Sequence, residues 1–541
     1  ASRINAARPD AVLVAIDWHG LPIVPTPGNA AAAAASVDAA LNMIDTVREG
    51  FRAHGGALSI VSTVAPPAES AAGSLDRGLP GTMRFLCDRI NAGLVERAAA
   101  SADLLLDTAA LAETVGLGDW ADPTLWNVAK LPFDTVFLPL WADHVARLAA
   151  ALKGRSRKAL VLDLDNTLWG GVIGDDGLEG ILIGQGDATA EAHLEVQRLA
   201  LSLRDRGVVL AVSSKNTDSV AREVFTDHPD MLLRLDHISV FQANWNDKAT
   251  NITAIADELA LGLDSFVFLD DNPAERALIR RTLPDVAIPE LPANPALYAR
   301  TLAAAGYFEM IAFSAEDAGR AEMYQMNAKR AALKTQVADM GSYLASLNME
   351  IGFAPFDGVG RARIAQLINK SNQFNLTTRR YTEADVLGFE RDPATFTLQV
   401  RLADAFGDNG MIGVVICRDA GARTWEIDTW LMSCRVLGRG VERMMLAEIL
   451  LHAREAGIER LVGRYLPTAK NAMVSGHYAT LGFTPLDADA AGFMPLDADA
   501  GGFTPLGADA GGTLWGLDTA TTVDLPPMEV RRQGFDMLVG A

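Results

Sequence analysis

Two aspartates, Asp163 and Asp165, stand two residues apart after a short apolar run, Ala159 to Leu162, with Thr167 two residues further on. The run reads as a buried strand, and alternation along a strand sends residues i and i+2 the same way. Both carboxylates can then face one point at the strand's C-terminal end, where open α/β sheets bind their ligands. Paired carboxylates there suit a hard cation such as Mg2+ and an oxygen nucleophile beside a general acid or base. Taken alone, the pair fits a polar loop after a core strand equally well. Its neighbours along the chain decide. Ser213-Ser-Lys-Asn216 follows the run 208–212, Asn244-Trp-Asn-Asp-Lys248 follows a weaker run near 238–241, and Asp270-Asp-Asn-Pro273 follows 265–269. Four polar clusters at four consecutive strand ends mark a site.

The strands that must position these clusters belong to an α/β unit over residues 152–300, with a helix at about 190–206. Before it, residues 1–151 alternate apolar runs (11–16, 57–62) with helical stretches (30–52, 144–152), the pattern of a Rossmann-like parallel sheet. That region lacks a Gly-rich phosphate loop and a nucleophile elbow, and Asp143 and His144 read as a pair on a helix surface. Residues 154–158 read as a basic linker and 301–345 as a helical connector. Residues 346–541 hold a strand at 349–353, a helix, a meander (395–402, 410–417, 424–431) and a helix to about 456. Arg435-x-x-Gly438-x-Gly440 opens that last helix, where backbone N–H groups can hold a diphosphate. Three ten-residue copies begin at Gly482, Gly492 and Gly502. Each carries too few aspartates for a Ca2+ loop, so a duplicated hairpin extruded as a loop is expected, at little cost in stability.

Composition sets the outer limits. A chain of 541 residues exceeds one ordinary core, so three or four domains are expected. A net charge of −21 argues against nucleic acid or an anionic membrane as the main partner. Any phosphate site must then rely on a local metal or a local basic cluster. Three widely spaced cysteines, Cys87, Cys417 and Cys434, point to a reducing, cytoplasmic setting. No apolar run approaches the roughly 18 residues of a membrane span, and no signal segment opens the chain. With no initiator Met and a strand arriving at once, the chain reads as a fragment of a longer one.

Asp163-x-Asp165-x-Thr167, a strand-end serine, Lys248 and Asp270-Asp271 resemble, in order, the four motifs of the haloacid dehalogenase (HAD) superfamily of phosphotransferases. The resemblance implies Asp163 as nucleophile and Asp165 as general acid/base. It implies Ser214 (or Ser213) and Lys248 on the phosphoryl oxygens. Mg2+ would sit on Asp163, the Asp165 carbonyl and Asp270, with Asp271 close behind. Phosphoryl transfer needs in-line geometry and positive charge on the equatorial oxygens, which a metal and a lysine provide. About 46 residues separate Thr167 from Ser214 and about 33 separate Ser214 from Lys248, leaving no room for a cap domain. Residues 170–177 fit only a small hairpin flap. An open site suits a large partner.

Arg435, Gly438, Gly440, Asn471 and Tyr478-Ala-Thr-Leu-Gly-Phe483 resemble the cofactor loop and later part of GCN5-related N-acetyltransferases (GNAT). This implies cofactor binding at Arg435, Gly438, Gly440 and Asn471. The joint order resembles the FkbH-like phosphatase/glyceryltransferases of polyketide pathways, carried by residues 163–174, 369–382, 406–410 and 433–442. The implied fold is α/β multidomain: a Rossmann-like, SGNH-like N-terminal domain (1–151), a HAD-like domain with minimal cap (152–300), the connector, and a GNAT-like α+β domain (346–541). The N-terminal domain lacks the Gly-Asp-Ser block of SGNH hydrolases, so no hydrolase activity is expected there. The implied activity takes a glyceryl unit from 1,3-bisphosphoglycerate, removes phosphate, and loads the unit on an acyl carrier protein through its phosphopantetheine thiol.

Cys434 lies beside Arg435 and Arg439 near a helix N-terminus, surroundings that lower a thiol pKa. It is therefore a candidate acyl carrier, with a core strand-end cysteine as the alternative. Cys87 and Cys417 read as core, and His477 as a surface histidine or a base. Arg379, Arg380, Arg435, Arg439 and Arg443 are a candidate basic patch for the carrier protein. Two alternatives stay open: a Mg2+-dependent phosphatase whose GNAT-like part only binds the carrier, and an acetyl-CoA-dependent acetyltransferase.

Overall fold

The computed structural model describes residues 3–535 apart from 8, 56, 314–318, 321, 325, 328–329, 331–332, 334–338, 372–373, 434–435, 469–470 and 487–511. It divides into two compact units, one of residues 1–156 with 309–312, the other of residues 157–308 with 313–541.

In the first unit, β1 (Ala11–Val14), β2 (Leu58–Ser62) and β3 (Leu104–Leu106) form a parallel sheet in the order β1-β2-β3. The helices Ala30–Gly55 and Met83–Ala99 supply the crossovers and bury Leu41, Ile44, Cys87 and Ile90 against Val14 and Val61. Burial pushes the Cys87 thiol up to about 12, so it behaves as a small apolar core residue.

The second unit contains a four-stranded parallel sheet of β4 (Ala159–Leu162), β5 (Val209–Ser214), β6 (Val240–Ala243) and β7 (Phe266–Leu269), in the order β6-β5-β4-β7. Both faces are covered, which is why these strands read as continuous apolar runs. Leu160, Leu162, Val212 and Leu269 join one core, while Val161, Ala211, Phe266 and Phe268 join the other. The chain moves outward from β4 through β5 to β6, then returns to place β7 on β4's other side. That reversal opens a crevice at the C-terminal ends of β4 and β7, the switch point of a doubly wound sheet.

The same unit holds an eight-stranded mixed sheet. β8 (Met349–Ala354), β9 (Thr395–Asp404), β10 (Gly407–Asp419) and β11 (Thr424–Met432) form an antiparallel meander, to which β12 (Arg460–Tyr465) adds in parallel. β13 (Thr484–Leu486), β14 (Thr513–Asp518) and β15 (Met528–Arg532) complete the order β13-β14-β12-β11-β10-β9-β8-β15. β11 and β12 pair only over Thr424–Ile427 and Arg460–Gly463. Beyond that point Phe374 to Leu376 pair with β11: the Leu376 N–H donates to the Trp430 carbonyl and the Met432 N–H to the Phe374 carbonyl. The Leu466 N–H then donates to the Leu376 carbonyl, at 2.9 Å, so this segment joins the diverging strands.

β13 and β14 are paired antiparallel; β13 lies inside the first ten-residue copy, and the second and third copies lie in sequence between the two strands. Residues 487–511 are outside the described residues, as are Cys434 and Arg435. The flap differs from the expected hairpin. Gly170 and Leu182 pair through two backbone hydrogen bonds, but Ile173–Asp176 between them is a helical turn, and the Asp176 carboxylate accepts from the Val172 N–H at 2.7 Å.

Candidate functional site

β4 ends at Leu162, so strand alternation does not reach the two aspartates that follow, and their side chains part company. Asn166, at φ 54°, turns the chain through the left-handed region just after them. Asp163 is buried, and its Oδ1 lies 2.9 Å from the Lys248 Nζ. The Asp165 carboxylate turns to the flap instead: Oδ1 accepts from the Trp169 indole N–H and the Ile173 backbone N–H, both at 3.0 Å. Its Oδ2 accepts from the Asn216 side-chain amide at 2.9 Å.

Lys248 is the first residue of the helix Lys248–Leu259, whose N-cap Asp247 accepts from the Thr250 N–H. This start fixes the lysine stem, and its ammonium bridges Asp163 and Asp270. Asp270 follows β7 and is fully buried. Arg276, itself buried, donates one guanidinium N–H group to the carbonyls of both Asp270 and Asp271, at 2.8 and 2.6 Å. Thr167 ties the first loop to the last, since its Oγ1 accepts from the Asp271 N–H at 3.2 Å.

Asp163, Asp270 and Asp271 can place one carboxylate oxygen each within 4.8 Å of the others. An all-oxygen set of this kind suits a hard divalent cation. The electrostatics agree. Burial pushes the Asp163 carboxyl up to about 6 against the opposing pull of Lys248, and burial also raises Asp270 and Asp271. The Lys248 ammonium is held above its usual value by Asp163 and Asp270 although burial works against it. Three carboxylates around one ammonium leave negative charge that a divalent cation would balance.

Ser214 is buried, and its Oγ accepts from the Asn216 amide at 3.2 Å. The Ser213 Oγ is wholly buried and has no hydrogen-bond partner among the described residues. Sequence reasoning did not assign roles to Trp169, Asn216 or Arg276, which stand inside or beside the motif clusters. His193 and Gln197 gave no signal at all. Both lie on the buried face of the helix Ala188–Asp205: His193 Nδ1 is 3.0 Å from the Thr167 carbonyl, and Gln197 donates to the Leu168 carbonyl at 2.9 Å.

Among the described C-terminal candidates the two glycines open the helix as expected, whereas several polar ones are turned inward. Gly438 and Gly440 have φ 72° and 80° and precede the helix Val441–Glu455. A Cβ on Gly440 would come within 2.9 Å of Pro526. Arg439 is not an exposed cation: it is buried, donating to Asp404 at 2.9 Å and to the Asn327 side chain at 3.0 Å. Arg379 pairs with the buried Asp428, and Arg443 is exposed. Asn471 is fully buried, its amide donating to the carbonyls of Asn375 and Leu466 and its oxygen accepting from the Thr468 N–H. It pins the strand-joining segment rather than facing a cofactor. His477 is not a surface histidine either. It packs edge-on to Trp430 and Phe374, and burial lowers its pKa to about 4. Cys417 is buried in the core, as expected.

No protein-family model and no curated protein matches the chain. Among solved structures, the N-terminal part of the protein BF1531 from Bacteroides fragilis, containing a phosphatase domain and complexed with Mg, aligns at 32% identity and a TM-score of 0.54. The alignment covers 58% of this chain and 82% of that one. The ribosomal-protein-S18-alanine N-acetyltransferase of Escherichia coli aligns over 32% of the chain at 11% identity and a TM-score of 0.22. Spermidine N-acetyltransferase of Vibrio cholerae, with CoA and spermine, aligns over 31% at 15% identity and 0.24. Likenesses of that strength say nothing of activity. No helix among the described residues is long and apolar enough to cross a membrane.

Proposed function

We propose that this chain, which belongs to the same family as the Bacteroides fragilis phosphatase-domain protein, is a HAD-type, Mg2+-dependent phosphotransferase that moves a glyceryl unit to a carrier protein. The observation that carries the phosphoryl-transfer part is the placement of Asp163, Lys248, Asp270 and Asp271 together at the switch point of β4 and β7. Asp163, Asp270 and Asp271, with the Asp165 carbonyl, would hold Mg2+. When bound, the ion supplies positive charge on the phosphoryl oxygens.

The chain's own groups divide the remaining work. An Asp163 oxygen attacks phosphorus in line, and the aspartyl phosphate so formed is later hydrolysed. Lys248 neutralises a phosphoryl oxygen while holding Asp163 in place. Asp165 donates the proton to the leaving group and then takes one from water. Its Oδ2, which accepts from the Asn216 amide, is the oxygen that keeps a lone pair for that proton. The spacing between the motifs leaves no room for a cap domain, so a phosphorylated acyl group can be presented from a large partner.

The glyceryl part rests on the resemblance to FkbH-like proteins, with 1,3-bisphosphoglycerate as donor, Cys434 as transient acyl carrier, and the phosphopantetheine thiol of an acyl carrier protein as acceptor. A simpler reading, a phosphatase whose C-terminal sheet only binds the carrier, is favoured by the internal use of Arg439 and Asn471. Intact mass of a carrier protein after incubation with this protein, Mg2+ and 1,3-bisphosphoglycerate separates the two. A gain of one glyceryl unit supports transfer, whereas phosphate release with unchanged carrier mass leaves only the phosphatase.

A further inference from the structure

A cavity of about 360 Å3 lies within the first unit, and the phosphoryl-transfer reading makes no use of it. It opens where the three parallel strands end: Asp17 follows β1, Ser62 and Thr63 close β2, and Thr108 follows β3. Ligands of open parallel sheets bind at that end, and the volume falls within the range of small-molecule sites. The walls are aromatic, with Trp18, Trp120, Trp126, Phe133 and Trp141. Among the described residues the charges on the lining are all negative: Asp17, Glu69 and Asp122 face it, and no lysine or arginine does.

Two side chains already lie against these indole faces. His19 is stacked between Trp18 and Trp126, at 3.4 and 3.6 Å between ring centroids, with its Nδ1 2.6 Å from Asp17. The Lys130 ammonium lies over the Trp126 ring at 5.3 Å. Indole faces attract cations through their quadrupole. Asp17 and Asp122 are also fixed in place, since each caps a helix start by accepting from the N–H of Gly20 or Thr124. An anion here would meet three carboxylates, with no lysine or arginine among the described lining residues to balance it, so the bisphosphorylated donor does not belong in this cavity. Hydrolysis is not indicated. The Ser62 hydroxyl donates to the Thr63 carbonyl and touches Thr108 Oγ1 at 3.2 Å, with no imidazole hydrogen-bonded to it.

We propose that this cavity binds a small organic ammonium ion, its charged head against the indole faces and the three carboxylates and its apolar body along the proline-rich wall of Pro66, Pro67 and Pro132. The site is separate from the Asp163 centre, and the proposal stands whichever reading of that centre holds.

The test uses the full chain and choline as probe, followed by calorimetry and tryptophan fluorescence. Saturable one-to-one binding is expected, with 3,3-dimethylbutan-1-ol, the uncharged compound of the same shape, binding about tenfold more weakly. The variant Asp17→Asn/Glu69→Gln/Asp122→Asn keeps the capping oxygens and should lose binding about tenfold with unchanged circular dichroism. Trp126→Leu gives a second reading at a half-buried position, with the same loss expected. Absence of saturable choline binding, equal binding of the alcohol, or unchanged binding in both variants overturns the proposal.

Discussion

At the scale of single residues, the centre depends on one lysine shared by two buried carboxylates. Asp163→Asn keeps the shape and removes the nucleophile, so phosphate release should fall by at least about a thousandfold, measured with a phosphorylated three-carbon substrate, while the fold persists. A different side chain, His477, contributes to the response of the eight-stranded sheet to acid. His477 has a folded pKa of about 4 against an ordinary value of 6.5. Below pH 6.5 the unfolded chain takes a proton that the folded chain refuses, so the contribution is fully present above that pH and is lost as pH falls toward 4. Between pH 7 and 5 this amounts to about 2 kcal/mol. Denaturant unfolding should show His477→Leu losing less stability over that interval than the parent protein. Equal losses would mean the imidazole is not held neutral by its surroundings.

At the scale of elements, the helix Ala188–Asp205 does more than cover the sheet. Gln197 accepts from the N–H groups of Leu232 and Leu233 while donating to the Leu168 carbonyl. Gln197→Leu would leave three backbone groups unpaired, the Leu232 N–H among them half-buried, a loss of about 3 kcal/mol, visible as a lower melting temperature. His193→Phe should act on the reaction as well, because it frees the Thr167 carbonyl in the loop that Thr167 Oγ1 ties to Asp271. The expected signature is a higher Mg2+ requirement for phosphate release, with little change in substrate KM. The second and third ten-residue copies are an element of another kind, joined in sequence between two strands that already pair. Removing residues 492–511 shortens that connection and should raise stability by about 1 kcal/mol. A large destabilisation would show that the copies form contacts the sheet depends on.

At the scale of the whole molecule, charge sets the terms of encounter. The chain carries a net −21, and the positive charge at its centre is the Lys248 ammonium among three carboxylates, so an anionic substrate approaches against the mean field. Raising ionic strength screens that repulsion, since the Debye length falls to about 10 Å at 0.1 M. kcat/KM for a phosphorylated substrate should therefore rise between low and physiological salt. A fall would mean that a positive surface steers the substrate after all.

The sequence alone determined the strands and the cluster at each strand end, because a parallel strand buried on both faces must be an uninterrupted apolar run. It also marked Asp163, Lys248 and Asp270 as partners, since consecutive strand ends of one sheet open on the same edge. Alternation misled at Asp165, where the strand had already stopped and a flap N–H was the nearer donor. Asn471 had the right residue type for a cofactor site, Arg439 for a docking patch and His477 for a base, but whether a polar side chain serves the interior or a ligand depends on what lies across the sheet from it. That is a contact between distant segments, as with Asp404 for Arg439 and Asn375 for Asn471. The tertiary structure alone decided it. For the same reason the central pair, Asp163 and Asp165, is one site in the sequence and two environments in the fold.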